Sequence, residues 1–427
     1  MKKITLIFLI AFQFGLSQNY TEYFTGNATD VNTNHESGVC LMGGATENDN
    51  AMIWFLDKTN GGDVVVLRAS GSDGYNDYFY TDLGVNLNSV TTFVIDNEAG
   101  AIDPYVLERV ENAEAIWFAG GDQWDYVSFF KDNAMEDALN NFINVKQGVI
   151  GGTSAGMAIL GSAYFSAENG TVTNATALSD PYHSGVALGY NDFLEIPFLE
   201  NAITDTHYDD PDRRPRHTVF LARFAQDNDM RSFGIACEEF TSVCIDSEGK
   251  AYVYGDFPNF DDYAYFLQAN CSSDFTPETL EIGEPVTWNR NGEAVKAYKV
   301  GGTASGANFL DLTDWETGSG GEWEHWSINN GNFTSMVGTV ANCATLSVED
   351  DFLSNEISIF PNPFSSDLNI QSKRLIEDVK LFDSMGREIE IKSENGKISG
   401  LSKLNTGVYF LKVKSDDKTV TRTLLKR

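Results

Sequence analysis

Positive charge is scarce in this chain. Its 427 residues hold 29 Lys and Arg against 62 Asp and Glu, a formal net charge of −33. The acidic excess lies in the body, because residues 1–17 and 351–427 are both slightly basic. A surface of that sign repels phosphate backbones, which argues against nucleic acid and anionic membranes as partners. It suits a cationic or arginine-bearing substrate, and it equally suits plain solubility or a saline habitat. Long apolar runs are also missing. After Ile4–Leu16 no stretch approaches the roughly 20 apolar residues of a spanning helix, so no integral membrane segment is expected. Lys2 and Lys3 precede that run and small residues, Gly15 and Ser17, close it. It reads as a secretory leader cut at Ser17/Gln18, with no cysteine at the cut for a lipid anchor.

Cysteine is the third shortage. There are five, Cys40, Cys237, Cys244, Cys271 and Cys343. No C-x-x-C occurs and no His/Cys cluster has zinc spacing, so no metal is expected. No G-x-G-x-x-G follows a strand, so no dinucleotide is expected either, and no cofactor is assigned. An odd count in an exported chain leaves at least one thiol free. Cys40, Cys237 and Cys244 sit in apolar runs and read as small buried hydrophobes. Cys271 and Cys343 bracket a polar segment, as the ends of a disulfide would.

What is present is a series of short apolar runs separated by helical patterns. Gly38–Gly44, Asp63–Arg68, Val90–Asp96, Ala115–Gly121 and Val149–Gly152 read as buried strands. Between them, Thr46–Leu56 (with Thr46 as N-cap), an aromatic stretch near Tyr75–Leu83, Pro104–Ala113 and a long amphipathic Trp124–Gln147 read as helices. Continuous rather than alternating apolar strands predict a parallel sheet covered on both faces. The fold class expected is therefore α/β, a flavodoxin-like mostly parallel sheet with helices on both faces. Arg231–Ala236 and Phe240–Ile245 read as two closing strands. Residues 272–345 read as a small β-rich region, 346–356 as a linker, and 357–427 as a β-sandwich of alternating strands. The leader is 1–17 and the body 18–271. The β-rich region fits a lid, a binding module or a spacer. Nothing in the sequence sets an oligomeric state.

Three glycine turns, Gly43-Gly44, Gly120-Gly121 and Gly151-Gly152, fall at the carboxyl ends of predicted parallel strands, where such sheets bind ligands. The third belongs to Gly152-Thr153-Ser154-Ala155-Gly156, which fits G-x-S-x-G. A serine on that strand-to-helix turn is lifted out of the sheet, and the next backbone N–H, that of Ala155, is aimed where an oxyanion forms. A serine nucleophile needs a base, and the base needs an orienting acceptor. Histidine is scarce too: His35, His183, His207, His217 and His325 are the five candidates. His207 directly follows a predicted strand, Ala202–Asp205, at the kind of edge where Ser154 also lies, and is chosen.

Four motifs in order over residues 38–246 carry a resemblance: Leu41-Met42-Gly43-Gly44, Gly120-Gly121-Asp122-Gln123, Gly151–Gly156, and Asp205-Thr206-His207-Tyr208 with Arg213, Arg216 and Leu221-Ala222-Arg223 beyond. Together they resemble the cyanophycinase and dipeptidase E family of serine peptidases, which share a sheet with the class I glutamine amidotransferases and carry serine at the elbow. The resemblance implies Ser154 as nucleophile, His207 as general base, and the N–H groups of Gly121 and Ala155 as oxyanion hole. It implies Gln123, Arg213 and Arg216 as substrate-binding residues, and a peptide or cyanophycin-like substrate cut at β-aspartyl or aspartyl bonds. The family draws an acid from the loop after the elbow helix, which selects Glu168, with Asp180 next. Two positions depart from the family pattern: Pro211 stands where an arginine is usual, and Thr206 where a glutamine is. Both bear on the polymer as substrate more than on peptidase chemistry. An esterase or amidase with the same triad, or a non-catalytic binding protein on the same fold, remain the alternatives.

The tail, Ile357–Arg427, resembles the sorting domain of the type IX secretion system of Bacteroidota, in its Phe360-Pro361-Asn362-Pro363 start, its Leu404–Val413 strand and its basic last residues. That resemblance implies the secretion machinery as partner and a secreted or cell-surface location.

Overall fold

In the computed structural model, residues 19–271, 274–341, 343, 357–372, 376–383, 387–389, 391–394, 396–415 and 418–427 are described. The expected leader and linker fall outside them. The chain forms two compact units, 1–342 and 343–427.

The first unit contains eighteen described strands. They are β1 (Thr21–Gly26), β2 (Gly38–Met42), β3 (Asp63–Arg68), β4 (Ser89–Val94), β5 (Ala115–Phe118), β6 (Val149–Thr153), β7 (Ala163–Phe165), β8 (Leu188–Tyr190) and β9 (Ala202–Asp205). They continue with β10 (Phe233–Cys237), β11 (Ser242–Ile245), β12 (Lys250–Tyr254), β13 (Tyr263–Ala269), β14 (Val295–Gly301), β15 (Asn308–Asp311), β16 (Gly318–Ser319), β17 (Gly321–Asn329) and β18 (Asn332–Val337). One sheet has the order β1-β4-β3-β5-β6-β2-β11-β12-β15-β16, the other β18-β17-β14-β13-β10-β9-β7-β8. At the centre of the first, β4, β3, β5, β6 and β2 are all parallel. In the second, β9 is parallel to both β10 and β7.

The apolar runs are continuous because both faces of the first sheet are covered. Val64 and Val66 point to one face with Cys40, Met42 and Trp117, under Met52 and Phe55 of the helix Asp49–Asp57. Val65 and Leu67 point to the other with Leu41, Ile116 and Phe118, under Val106, Val127 and Leu139 of three helices. That second core also takes in Ile235, Phe266 and Val300 of the second sheet, so the two sheets share it. Beyond the second sheet, Val219, Phe220 and Phe224 of the helix Arg214–Asn228 close a third core.

Three expectations change in detail. The first helix begins at Asp49 and is capped by Asn48, whose side chain accepts the Ala51 N–H, not by Thr46. The long helix expected over Trp124–Gln147 is three pieces, Gln123–Phe130, Ala134–Asn141 and Phe142–Lys146. Its break has a local cause: Lys131 is extended, Asp132 is left-handed at φ 61°, and Asn133 caps a new helix through the Met135 N–H. The β-rich region is strand-rich as expected but lies within the first unit. Strands β14, β17 and β18 extend one sheet, and β15 and β16 the other.

The second unit has two four-stranded antiparallel sheets. Leu368, Ile370 and Ile398 of one and Leu381, Leu411 and Leu424 of the other meet in a single core. Cys271 and Cys343 are disulfide-bonded, and Cys40, Cys237 and Cys244 are free and buried. Among the described residues no helix is long and apolar enough to cross a membrane.

Candidate active site

Ser154 directly follows β6 with φ 52° and ψ −117°, a conformation that costs a non-glycine residue about 1–3 kcal/mol and persists only where the surroundings enforce it. The enforcement is visible in its glycine neighbours. A Cβ on Gly156 would lie 2.2 Å from the Phe118 carbonyl oxygen, and one on Gly152 would lie 2.6 Å from the Gly156 backbone. Only bare backbone lets the elbow helix turn back this tightly over β5 and β6.

The carboxyl end of β2 then collects the other parts. Three successive carbonyls accept from three separate loops: Met42 from the Ser154 N–H at 3.0 Å, Gly43 from the His207 N–H at 2.8 Å, and Gly44 from the Phe240 N–H at 3.2 Å. Thr204 of β9 adds a buried hydroxyl bond to the Met157 carbonyl at 2.8 Å, tying the histidine strand to the elbow helix. Because β9 and β10 are parallel, with Ala236 beside Asp205, the segments that follow them leave the second sheet at one edge. His207 follows one and Glu239 the other.

The result is a continuous hydrogen-bond chain. Ser154 Oγ lies 2.7 Å from His207 Nε2, and His207 Nδ1 lies 2.6 Å from Glu239 Oε1. A carboxylate oxygen accepts, which assigns the ring proton to Nδ1 as the donor of this hydrogen bond. That leaves the Nε2 lone pair to accept from the serine hydroxyl. The imidazole occupies space that Gly44 vacates: with φ +126°, a Cβ there would meet His207 Cε1 at 2.4 Å. Gly44→Ala is therefore expected to displace the ring and lower activity on any turned-over substrate by about 100-fold. Far-UV circular dichroism should stay unchanged, and a fully active variant would contradict this placement.

The carboxylate behind the histidine is a correction. Glu168, the residue selected from the sequence, is exposed and lines a neighbouring groove with Trp124 and Lys131. Asp180 ends a helix, where its Oδ1 accepts from the N–H groups of Tyr182 and Gly283. Glu239 holds the position because it sits on the loop by which the chain passes from β10 in one sheet to β11 in the other. Its signal was available in Cys237-Glu238-Glu239-Phe240, two carboxylates between two apolar runs.

Glu238, next to it, is buried and accepts from the Tyr263 N–H at 2.9 Å and the Tyr265 hydroxyl at 3.0 Å. Burial pushes its carboxyl up to about 7. A carboxyl raised on folding binds its proton more tightly in the folded than in the unfolded state. Its contribution to stability is therefore present at low pH and lost as pH rises from the ordinary carboxylate range through 7. Glu238→Gln keeps a donor and an acceptor for the two tyrosines, and is expected to raise Tm at pH 8 but not at pH 4. Equal shifts at both pH values would rule out this titration.

The cleft over Ser154 has a volume of about 340 Å³. The expected residues Gly121, Gln123, Ala155, Arg213 and Arg216 all line it, with Thr206 and His207. Gln123 begins the helix Gln123–Phe130 and donates through Nε2 to the Phe165 carbonyl at 3.3 Å. The two arginines differ. Arg216 is buried and binds Asp205 in a two-point ion pair, Nε–Oδ2 at 2.9 Å and Nη2–Oδ1 at 2.5 Å. The guanidinium holds the Asp205 carboxyl below its usual range against the opposing effect of burial. Its charge is thus spent within the protein, a partnership that the sequence reading did not foresee. Arg213 donates through Nη1 to the Thr206 carbonyl at 3.0 Å, its Nε is buried without a hydrogen-bond partner, and among the described residues it makes no ion pair. His217, six residues before Arg223, is fully buried between the Tyr208 hydroxyl and the Ile203 carbonyl, and burial lowers its pKa to about 4. It packs the helix and takes no part in the cleft. Among the described residues no group of three or more His, Cys, Asp or Glu is placed to hold a metal ion.

The cyanophycinases of Synechococcus elongatus and Thermosynechococcus vestitus are each 23% identical over 238 residues, 53% of this chain and 68% of theirs. Among solved structures, a peptidase from an acI-B1 Actinobacterium aligns at 14% identity and a TM-score of 0.38, over 52% of this chain and 88% of its own. A putative peptidase E protein from Listeria monocytogenes EGD-e aligns at 13% and 0.32, over 52% and 99%. Residues 358–427 match the family described as the secretion system C-terminal sorting domain, which supports export by the type IX route to the cell surface or beyond. The chain thus joins a body similar in sequence to cyanophycinases to a C-terminal secretion sorting domain.

Proposed function

We propose that this protein is a secreted serine peptidase that hydrolyses β-aspartyl or aspartyl peptide bonds through an acyl-enzyme on Ser154. The observation that carries the reading is the unbroken Ser154–His207–Glu239 hydrogen-bond chain at the floor of a cleft. In this reading His207 takes the Ser154 proton as Oγ attacks the carbonyl carbon, and Glu239 stabilises the imidazolium that forms. The N–H groups of Gly121 and Ala155 receive the oxyanion. His207 then returns the proton to the leaving amine, and water repeats the sequence to release the acyl group.

Arg213 is the cleft guanidinium that makes no ion pair among the described residues, so it is assigned the substrate carboxylate, and Arg216 the task of holding Asp205. Pro211 is exposed and is absent from the residues lining the cleft, whereas Thr206 lines it. A guanidinium with no ion pair among the described residues favours a short aspartyl or isoaspartyl peptide. A charged hydrogen bond of about 1.5–3 kcal/mol predicts that Arg213→Met raises KM for acidic peptides about 10- to 100-fold, with kcat nearly kept.

The test is digestion of cyanophycin, isoaspartyl peptides, α-aspartyl peptides and simple esters by the chain without its tail, with a fluorophosphonate probe in parallel. Release of β-aspartyl or aspartyl products with probe labelling at Ser154 is expected. Turnover of esters alone would make it an esterase. No turnover and no labelling would leave a binding protein.

A further inference from the structure

The strand that collects the active-site loops carries a thiol facing a second thiol. Cys40 of β2 lies directly opposite Cys244 of β11 in antiparallel register, and their Sγ atoms are 3.7 Å apart. Directly opposed residues on antiparallel strands have Cα atoms about 4.5–5.5 Å apart. Disulfides span Cα separations of about 4.4–6.8 Å, so the two strands need not move to be joined. The chain also carries the mark of an oxidising compartment, since Cys271 and Cys343 are disulfide-bonded.

We propose that Cys40 and Cys244 form a second, cross-strand disulfide, leaving Cys237 as the one thiol. The odd cysteine count then resolves as two bridges and one free residue. Cys237 is separated from the pair by the sheet: it packs in the core shared by the two sheets, with Sγ toward the Leu41 carbonyl at 3.6 Å, whereas Cys40 and Cys244 pack on the opposite face.

In the oxidation two thiols lose two protons and two electrons and one S–S bond forms. The oxidant is a disulfide, of oxidised glutathione or of a thiol–disulfide oxidoreductase, whose own S–S bond breaks to leave two thiols. Both cysteines are fully buried once folded, and burial pushes the Cys244 thiol far above its ordinary range, which removes the reactive thiolate. Exchange therefore belongs to folding, before β11 closes on β2.

The bond would sit under the active site. Two to four residues beyond Cys40 come Met42, Gly43 and Gly44, whose carbonyls hold Ser154, His207 and Phe240, and β11 begins three residues after Glu239. It would lock the strand that positions nucleophile and base to the strand that follows the acid.

The experiment is a count of thiols. The full chain is folded with reduced and oxidised glutathione, denatured in guanidinium with iodoacetamide, and weighed intact. One alkylated cysteine is expected, with a reducible peptide pair joining Cys40 to Cys244, and dithiothreitol before alkylation should raise the count to five. Cys237→Ser should show none, and Cys40→Ser should show two. Three alkylated cysteines in the wild-type chain, or a bridge from Cys237 to either partner, would overturn the proposal. The wild-type count decides even if a variant fails to fold.

Discussion

Ser154→Ala is expected to lower kcat by about 10⁴-fold or more on any peptide that the wild-type protein cleaves, and to abolish fluorophosphonate labelling. Removing the nucleophile of a serine hydrolase leaves only what binding and the oxyanion hole supply, and measured losses for such sites reach about 10⁶-fold. The expected size rests on Ser154 Oγ lying 2.7 Å from His207 Nε2. Stability provides the control. The strain at φ 52° belongs to the backbone and Cβ, which alanine keeps, so it is neither relieved nor increased. Among the described residues the hydroxyl's one hydrogen bond is to a partly exposed imidazole. Tm should therefore move little while activity collapses. A variant that retains activity would remove Ser154 from the chemistry. A variant that loses Tm and activity together would show that the elbow depends on the hydroxyl.

The second large effect separates two carboxylates. Glu239→Gln is expected to cost about 10³- to 10⁴-fold in kcat, because a neutral amide neither fixes the Nδ1–H tautomer nor stabilises the imidazolium, and replacing a triad acid by its amide has a cost of that order. Glu168→Gln is expected to leave kcat unchanged. The contrast follows from the 2.6 Å His207–Glu239 contact and from Glu168 lying out in the neighbouring groove. Parallel kcat measurements on the two variants, with Tm recorded for both, check it. If Glu168→Gln lost activity and Glu239→Gln kept it, the contact would be a packing contact and the acid would move to the loop after the elbow helix.

The parts that the sequence made legible are those with a local cause. The turn glycines announced the elbow, because the Phe118 carbonyl and the Gly152–Gly156 approach leave no room for a Cβ. Continuous valines in Asp63–Arg68 announced a strand covered on both faces, since each face meets its own set of helices. A histidine two residues after Ala202–Asp205 pointed to a side chain near Ser154, because residues following parallel strands emerge at one edge. Where the sequence misled about the acid, the deciding contact was remote, and where it misled about helix ends the contact was local. Asn48 and Asn133 took the caps because local geometry placed their side chains on free N–H groups, and those errors stayed small.

By itself, then, the sequence determined the serine turn, the buried strands, the sorting tail and the acidic character of the chain. Only the tertiary structure decided which carboxylate faces His207 and which arginine pairs with Asp205. Glu239 lies 32 residues beyond His207 and 85 beyond Ser154, and it reaches them only because the chain passes from one sheet to the other beside the end of β2. Arg216 pairs its charge with Asp205 across eleven residues because the strand and the helix that carry them pack together in the interior, where an unpaired charge is too costly to keep. Strand periods and turn chemistry are written over a few residues at a time. Partners of that kind are set by how the two sheets meet.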